Sequence, residues 1–565
     1  MTDISLRSLC DAVDGARLMH HMREFARWTK LSGTPDEMRS LRTVQSELDR
    51  YGYRTEVVMH DAYISLPGRA RVVIDGATPR CITHSFSVSS SPDGLTAELA
   101  YVGDGTEADF AGRDVRGRIV LVEGIASPGV AHRASRAGAV GQLHISPHEH
   151  IHEMCVSPVW GSPSQETLAV LPRTVVVTVS HDDGAALRDR LQRGARPRVT
   201  LHAEVDTGWR QTPILVAEID APRAETEGPF VLFSGHHDTW YFGVMDNGGA
   251  NATMLEVARL CAQHRDRWQR GLRLCFWSGH SHGRYSGSAW YADEHWAELE
   301  RRCVAHVNID STGAIGATVL SNAASMAELA SLAAEAVRTE AGSDYGGRPM
   351  ARSSVQSFWG IGLPSMLGSL SEQAPGPVKL RNKLGWWWHT PEDTLDKIDE
   401  ANLARDTRVF VHVLWRLLTD PVLPLDYTAW AARLSDELQG LARQLGDRLS
   451  LAPVIDAARA VGEAATAVRT RPPMKANATL MQVSRILVPL HTGVGGRFAH
   501  DPALPQPPWP ALAALRELAA AAPGSDEARF AAVAARRARN RLMHALGRAR
   551  HVLNAASEVR RGAAE

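Results

Sequence analysis

A chain of 565 residues is too long for one compact core, so two or three globular domains are expected. With 44% hydrophobic and 22% charged residues, and a net charge of −1 from 62 basic and 63 acidic side chains, it is neither disordered nor a polyelectrolyte, which excludes nucleic acid as a general partner. The basic residues are almost all Arg, with five Lys (Lys30, Lys379, Lys383, Lys397, Lys475), a bias that reads as genomic composition.

The opening run MTDISLRSLCDAVDGARLMHHMREF carries His, Arg and Asp through the stretch a secretory signal would keep apolar. No apolar run approaches the length of a spanning helix. These features predict a soluble, cytoplasmic protein with no membrane partner. Cys10, Cys81, Cys155, Cys261, Cys275 and Cys303 lack CxxC spacing and read as reduced core residues.

Residues 21–50 carry a helical apolar stripe, interrupted near Ser32-Gly33-Thr34-Pro35, and RTEVVMH (54–60) reads as a strand. From 61 to 207 short β-rich runs alternate with Gly and Asp turns, with one helical stretch near 129–140, as expected of an inserted domain. FVLFSGHH, GLRLCFWSGH and CVAHVNID then read as apolar strands, with helices at 248–264, 285–301 and 325–340. The alternation predicts an α/β fold with a mostly parallel sheet. After Pro424 only helical patterns continue. The last, from about 526 to 560, is expected to turn Phe530, Val533, Leu542 and Leu546 inward.

Three of these strands end in metal-ligand residue types: His236, His280 and Asp310. Side chains beyond the carboxyl ends of strands in an open α/β sheet can converge although distant in sequence. Asp246 precedes the Gly248-Gly249 helix start, and His389 follows three tryptophans in WWWHTPEDT. Two imidazoles and two carboxylates suit zinc or a similar divalent ion. A P-loop and a strand-to-helix GxGxxG are missing, and Ser286 in GRYSG reads as a helix start.

The runs GHHDTWYFGVMDNGGANATMLEVAR, FWSGHSHGRYSGSAWYAD, VNIDSTG and HTPEDTLDKID together resemble the zinc aminopeptidase superfamily that includes glutamate carboxypeptidase II and the transferrin receptor. The resemblance spans nearly the whole chain. DVRGRIVLVEG and HRASRAGAVGQLHIS resemble its protease-associated domain, and VLPLDYTAWAARL opens a segment similar to its helical dimer-forming domain. It implies a peptidase domain at 1–60 and 208–423, a protease-associated domain at 61–207, a dimerisation domain at 424–565, and a homodimer. The family pattern implies that His236 and Asp310 hold one zinc, that His389 holds a second, and that Asp246 bridges them. Asp238 matches the carboxylate of the H-x-D motif that orients the imidazole.

One motif departs. Where the family has two adjacent glutamates, a general base and a zinc ligand, this chain has His280 and Ser281, with His282 beside them. Two zinc ions would then face two carboxylates instead of three, and the second ion should bind less tightly. Two arrangements are expected. Either one metal (zinc, or manganese or another divalent ion) sits on His236, Asp246 and Asp310, leaving His280 as base with His282 in reserve, or His280 or His282 joins His389 in a reorganised second site. A neutral imidazole can replace a carboxylate as proton acceptor.

The segment FWGIGLPSMLGSL (358–370) has Met366 and Gly368 where glutamate-selective relatives carry arginines, which disfavours a glutamate-terminated substrate. Trp386, Trp387 and Trp388 offer at least one pocket wall, favouring a small peptide or amide with an apolar group. HISPHEHIHEM (144–154) places His148, His150 and His152 in alternation; it reads as a mobile polar loop, or as groups touching substrate or an extra metal. His237 reads as pocket-lining or exposed. The expected activity is metal-dependent hydrolysis of an amide-like C–N bond. The alternatives are a noncatalytic binding scaffold and a small-molecule amidohydrolase.

Overall fold

The architecture is given by a computed structural model that describes residues 5–558, apart from 223–227, 349, 351–353, 381–382 and 495. In chain order the strands are β1 (Arg54–Ile74), β2 (Cys81–Thr83), β3 (Leu95–Tyr101), β4 (Ile119–Glu123), β5 (Gly141–Ile145), β6 (Val175–Val179), β7 (Arg198–Ile219), β8 (Phe230–His236), β9 (Gly271–Trp277), β10 (Cys303–Asp310), β11 (Ala317–Val319), β12 (Ser365–Ser369) and β13 (Glu372–Gln373). One sheet runs β12-β10-β8-β9-β7-β3-β4-β5-β6-β2, with β1 paired to β7. β12, β10, β8 and β9 are mutually parallel, as are β3 to β6, and antiparallel β7 joins the two sets.

This order makes a topological switch. From β8 the chain moves to β9 on one side, and then returns to β10 on the other. The carboxyl ends of β8 and β10 therefore lie side by side with their connections diverging, which opens a crevice there.

β1 and β7 form one antiparallel ribbon, from Arg54 opposite Glu218 to Ile74 opposite Val199, with an irregularity between Pro67 and Ala70. The positions 60/61 and 207/208 both fall inside it. Beyond the ribbon, β3 to β6 bury opposite faces in separate clusters: Leu121, Leu143 and Val177 on one side, Val120 and Val122 on the other. A helix at His181–Gln192, capped by Ser180, belongs to this part and escaped the sequence reading because it buries little more than Gly184 and Leu187. A further cluster joins Phe86, Cys155, Val156 and Val176 to Trp240, just past β8.

Helix boundaries follow local chemistry. Thr34 caps Pro35–Arg50, which opens with Pro and two acidic residues; Asp399 caps Glu400–Thr419 and Asp426 caps Tyr427–Leu445. In the C-terminal helix Asp526–Glu558 the expected orientation is half corrected. Leu542 and Leu546 are buried, but Phe530 and Val533 are 77% and 46% exposed. The buried stripe is the heptad Ala528, Ala535, Leu542, Ala549, and Phe530 and Val533 lie two residues out of phase with it, on the opposite face. Five cysteines are buried and Cys81 is half-buried; none is paired. Among the described residues no helix is long and apolar enough to cross a membrane.

Glu328 is a fully buried carboxyl whose two oxygens find no hydrogen-bond partner among the described residues. Burial pushes its pKa from 4.5 up to about 7. The folded state thus holds a proton that the unfolded chain releases. The associated stability is present below pH 4.5 and is lost as pH rises through about 7, by about 3 kcal/mol. Glu328→Gln is expected to flatten that part of the profile, as urea denaturation at pH 4.5, 6 and 8 would read.

Candidate metal centre

His236 ends β8, Asp310 ends β10, and Asp246 stands in the turn Val244–Gly249 that leads into the helix Ala250–Ala262. The Asp246–Asn247 peptide is cis. Asn247 ties the strand ends together: its Nδ2 donates to the His236 carbonyl (3.0 Å) and its Oδ1 accepts from the Ser311 amide (2.9 Å). Gly249 permits the close approach, since a Cβ there would stand 2.3 Å from the Thr312 carbonyl oxygen.

Two imidazoles face the two oxygens of one carboxylate. His236 Nε2 is 3.2 Å from Asp246 Oδ1, and His389 Nε2 is 3.1 Å from Asp246 Oδ2. Asp310 Oδ1 is 3.6 Å from His236 Nε2. Both ring tautomers are determined by the opposite nitrogen. His236 Nδ1 donates to the Asp238 carbonyl (2.8 Å) and His389 Nδ1 donates to the Glu153 carbonyl (2.8 Å). In the neutral form each ring would turn a lone pair, not an N–H, toward an anionic oxygen. His236 Nε2 and Asp246 Oδ1 are buried without a hydrogen bond.

Such a contact needs a metal ion or a proton between the partners. Two ligands of a tetrahedral zinc at about 2.0–2.1 Å stand roughly 3.3 Å apart, close to the spacing here. Without an ion the same electrostatics act on protons. Burial lowers the His236 pKa, but Asp246 and Asp310 override it and hold the ring well above its ordinary range. Asp246 is held below the carboxylate range, its burial outweighed by His236 and His389. The donor set thus fits a divalent ion.

His280 stacks on His236 with ring centroids 3.7 Å apart and planes 8° from parallel. His236, His280 and Asp310 each offer a ligand atom within 4.8 Å of the others. However, an ion on the His236 lone pair lies in the plane of that ring, and the parallel ring of His280 cannot direct an in-plane lone pair at the same point. His280 therefore stands beside the ligand set, and burial and His236 hold its pKa well below the ordinary value, so it is neutral.

Asp238 is fully buried, and its carboxylate does something other than the sequence reading expected. Its Oδ1 is 3.8 Å from His236 Nδ1, and the two oxygens instead accept from the amides of His280 (3.2 Å) and Ser281 (2.8 Å) and from the Ser32 hydroxyl (2.7 Å). The backbone carbonyl of Asp238 orients the imidazole, while its carboxylate holds the His280-Ser281 turn. Ser32 lies in the break between the first helices and was read from sequence only as an interruption.

Because Ser32 donates to Asp238, its oxygen accepts from His282 Nδ1 (3.1 Å), which leaves the His282 Nε2 lone pair facing Glu153 Oε1 at 4.0 Å. Both nitrogens of His282 are directed at these groups, and burial and His389 push its pKa down to about 3. Glu153, Trp240 and Asp393 are site residues that the sequence reading missed. Burial raises Glu153 to about 7, with a bond to Tyr241 opposing. The Trp240 ring is 4.5 Å from His282 and 5.1 Å from His389. The Asp393 carboxylate accepts from the amides of Met245 (2.9 Å) and Asp246 (3.1 Å), fixing the turn that carries Asp246. Only Asp393 had a signal in reach, four residues past His389 in HTPEDT.

Of the three tryptophans, Trp388 stacks on His389 (3.6 Å), Trp386 stacks on His150 (4.1 Å), and Trp387 is core. His237 is buried edge-on against Phe25, which makes it neither exposed nor pocket-lining. Ser286 begins the helix Ser286–Glu294, as read. His148 and His152 are buried rather than lying in an exposed polar loop, because the run packs against Trp388 and His389.

The chain is similar to several known proteins. Residues 215–414 match the model of peptidase family M28. A probable glutamate carboxypeptidase of Zea mays (VP8) is 23% identical over 516 residues, covering 76% of this chain and 70% of that protein. The solved aminopeptidase from Aneurinibacillus sp. strain AM-1 superposes with a TM-score of 0.57 at 21% identity, over 73% of this chain and 96% of that one. A zinc aminopeptidase from Bacillus subtilis does so with a TM-score of 0.55 at 18% identity, over 72% and 96%.

Asp393→Ala leaves two buried amides without their acceptor, and each costs about 1–3 kcal/mol. The variant is expected to lose at least about 2 kcal/mol of stability in urea denaturation and to bind divalent metal more weakly in a chelator competition, because Asp246 is no longer held.

Proposed function

The chain carries a peptidase family M28 domain over residues 215–414, and from that premise we propose a metal-dependent hydrolase of peptide-like C–N bonds, with zinc as its metal. The observation that carries this reading is the pair of imidazoles whose Nε2 atoms face the two oxygens of Asp246, at 3.2 and 3.1 Å. His236, Asp246 and Asp310 would hold one ion, and His389 with the second oxygen of Asp246 would contribute to another position. A divalent ion bound there would acidify water and polarise a scissile carbonyl.

The protein's own groups supply the rest. The Asp238 carbonyl and Asn247 keep the His236 ring and its strand end in place. His280 is neutral, half-buried and stacked beside the ligand set, so it can take a proton from the attacking water and return it to the leaving amine nitrogen. Its position supports His280 as the base. His282, committed to Ser32 and facing Glu153, is the poorer base.

The substrate is a peptide. An apolar group is favoured by Trp388 on His389 and by Met366 and Gly368 on β12, and a glutamate terminus is not. The proposed organisation keeps a peptidase domain at 1–60 and 208–423, an inserted protease-associated domain at 61–207 and a helical dimerisation domain at 424–565. Exposed Phe530 and Val533 support a homodimer.

Purified protein supplemented with zinc is expected to retain metal and to hydrolyse members of a dipeptide and aminoacyl-anilide panel, and to lose activity on chelation. His236→Ala and Asp310→Ala should lose the metal. His280→Ala should keep the metal while kcat falls about 10²–10⁴-fold. Protein that binds less than a tenth of an equivalent of zinc, or metal-loaded protein that cleaves no amide, would sink the reading in favour of a binding scaffold.

A further inference from the structure

The histidine-rich run of the inserted segment grips the residue pair Trp388-His389. His152 Nδ1 lies against the Trp388 carbonyl oxygen, which can only accept, so Nδ1 carries the proton. His152 Nε2 is then a lone pair, and His148 Nε2, 2.9 Å away, must donate to it. His148 Nδ1 in turn accepts from the His150 amide at 3.2 Å. Each of these contacts finds a donor opposite an acceptor with both rings neutral, and burial lowers the His152 pKa to about 3 against the opposing pull of the Trp388 carbonyl.

The next residue closes the grip from the other side. The Glu153 amide donates to the His389 carbonyl (3.0 Å), and the Glu153 carbonyl accepts from His389 Nδ1 (2.8 Å). His389 itself has a left-handed backbone (φ +58°), a conformation that a residue with a Cβ keeps only where its surroundings over-determine it. The atoms that over-determine it come from residues 148–153, more than 230 positions earlier in the chain.

We propose that residues 148–153 are a positioning element of the metal centre, in which the His148–His152 relay anchors the loop on the Trp388 carbonyl so that Glu153 aims the Nε2 lone pair of His389 at the ion. The inserted segment is then part of the zinc site and not only a cover over it. This explains why the run is buried, and why its histidines alternate: His148 and His152 form the relay, while His150 stacks on Trp386. The proposal rests on His389 being a metal ligand.

The test is zinc affinity, read by competition with a chromogenic chelator on full-length wild-type, His152→Ala, His152→Asn, His148→Leu and His389→Ala proteins, with circular dichroism as the check on folding. Loss of an outer partner of a ligating histidine typically weakens binding 10–100-fold. His152→Ala and His148→Leu are expected to lose about tenfold or more, approaching His389→Ala. His152→Asn, which keeps a donor for the Trp388 carbonyl, should recover most of the loss. In parallel kcat should fall with little change in KM. Folded His152→Ala or His148→Leu protein that binds zinc within twofold of wild type overturns the proposal and leaves the hydrolase reading standing. Wild-type protein that takes up no zinc, or His389→Ala protein that binds it as wild type does, overturns the ligand assignment and the proposal with it. If one substitution unfolds the chain, the other and His152→Asn decide.

Discussion

One contact organises this molecule: a single buried carboxylate, Asp246, meets an imidazole nitrogen at each of its oxygens. Lone pairs facing an anion at hydrogen-bond distance are repulsive until something positive lies between them, and the protein is built to keep them there. Asp393 holds the amides of the turn that carries Asp246, Asn247 braces the ends of β8 and β10, and two backbone carbonyls pin the outer nitrogens of His236 and His389. A site preorganised in this way would take up a divalent ion without first rearranging its side chains.

The switch in strand order is what makes the contact possible. It lays the ends of β8 and β10 side by side, so that His236 and Asp310 meet although they are 74 residues apart in the numbering. Part of the positive-φ backbone lies near these strand ends: Tyr285, Ser311 and His389 are among the residues that adopt it. The wide apolar cluster beneath the sheet, continuous with the C-terminal helices, gives these loops the rigid base they need.

The missing pair of glutamates has been met by rewiring and not by a simple exchange. The turn that Ser281 occupies is fastened to Asp238, whose carboxylate also takes the Ser32 hydroxyl. His280 lies flat on His236, a placement that suits proton transfer better than coordination. Carboxylate character returns from another part of the chain, with Glu153 facing His282 from the inserted segment.

Periodicity and strand-end chemistry made much of this legible in the sequence. Alternating apolar strands and helices implied the parallel sheet, and the strand-end positions of His236, His280 and Asp310 implied that they converge, because these depend on local pattern and on a rule of sheet topology, whereas the roles expected of Asp246 and His389 came from the family resemblance. The same reading missed Ser32, Glu153, Trp240 and Asp393, mistook His148 and His152 for an exposed loop, and turned Phe530 and Val533 inward. Each of those depends on which distant backbone a side chain meets, or on which of two helical faces packs first. Hydrogen-bond direction, ring tautomer and the parallel stacking of His280 on His236 are properties of assembled groups, and only the tertiary structure decides them.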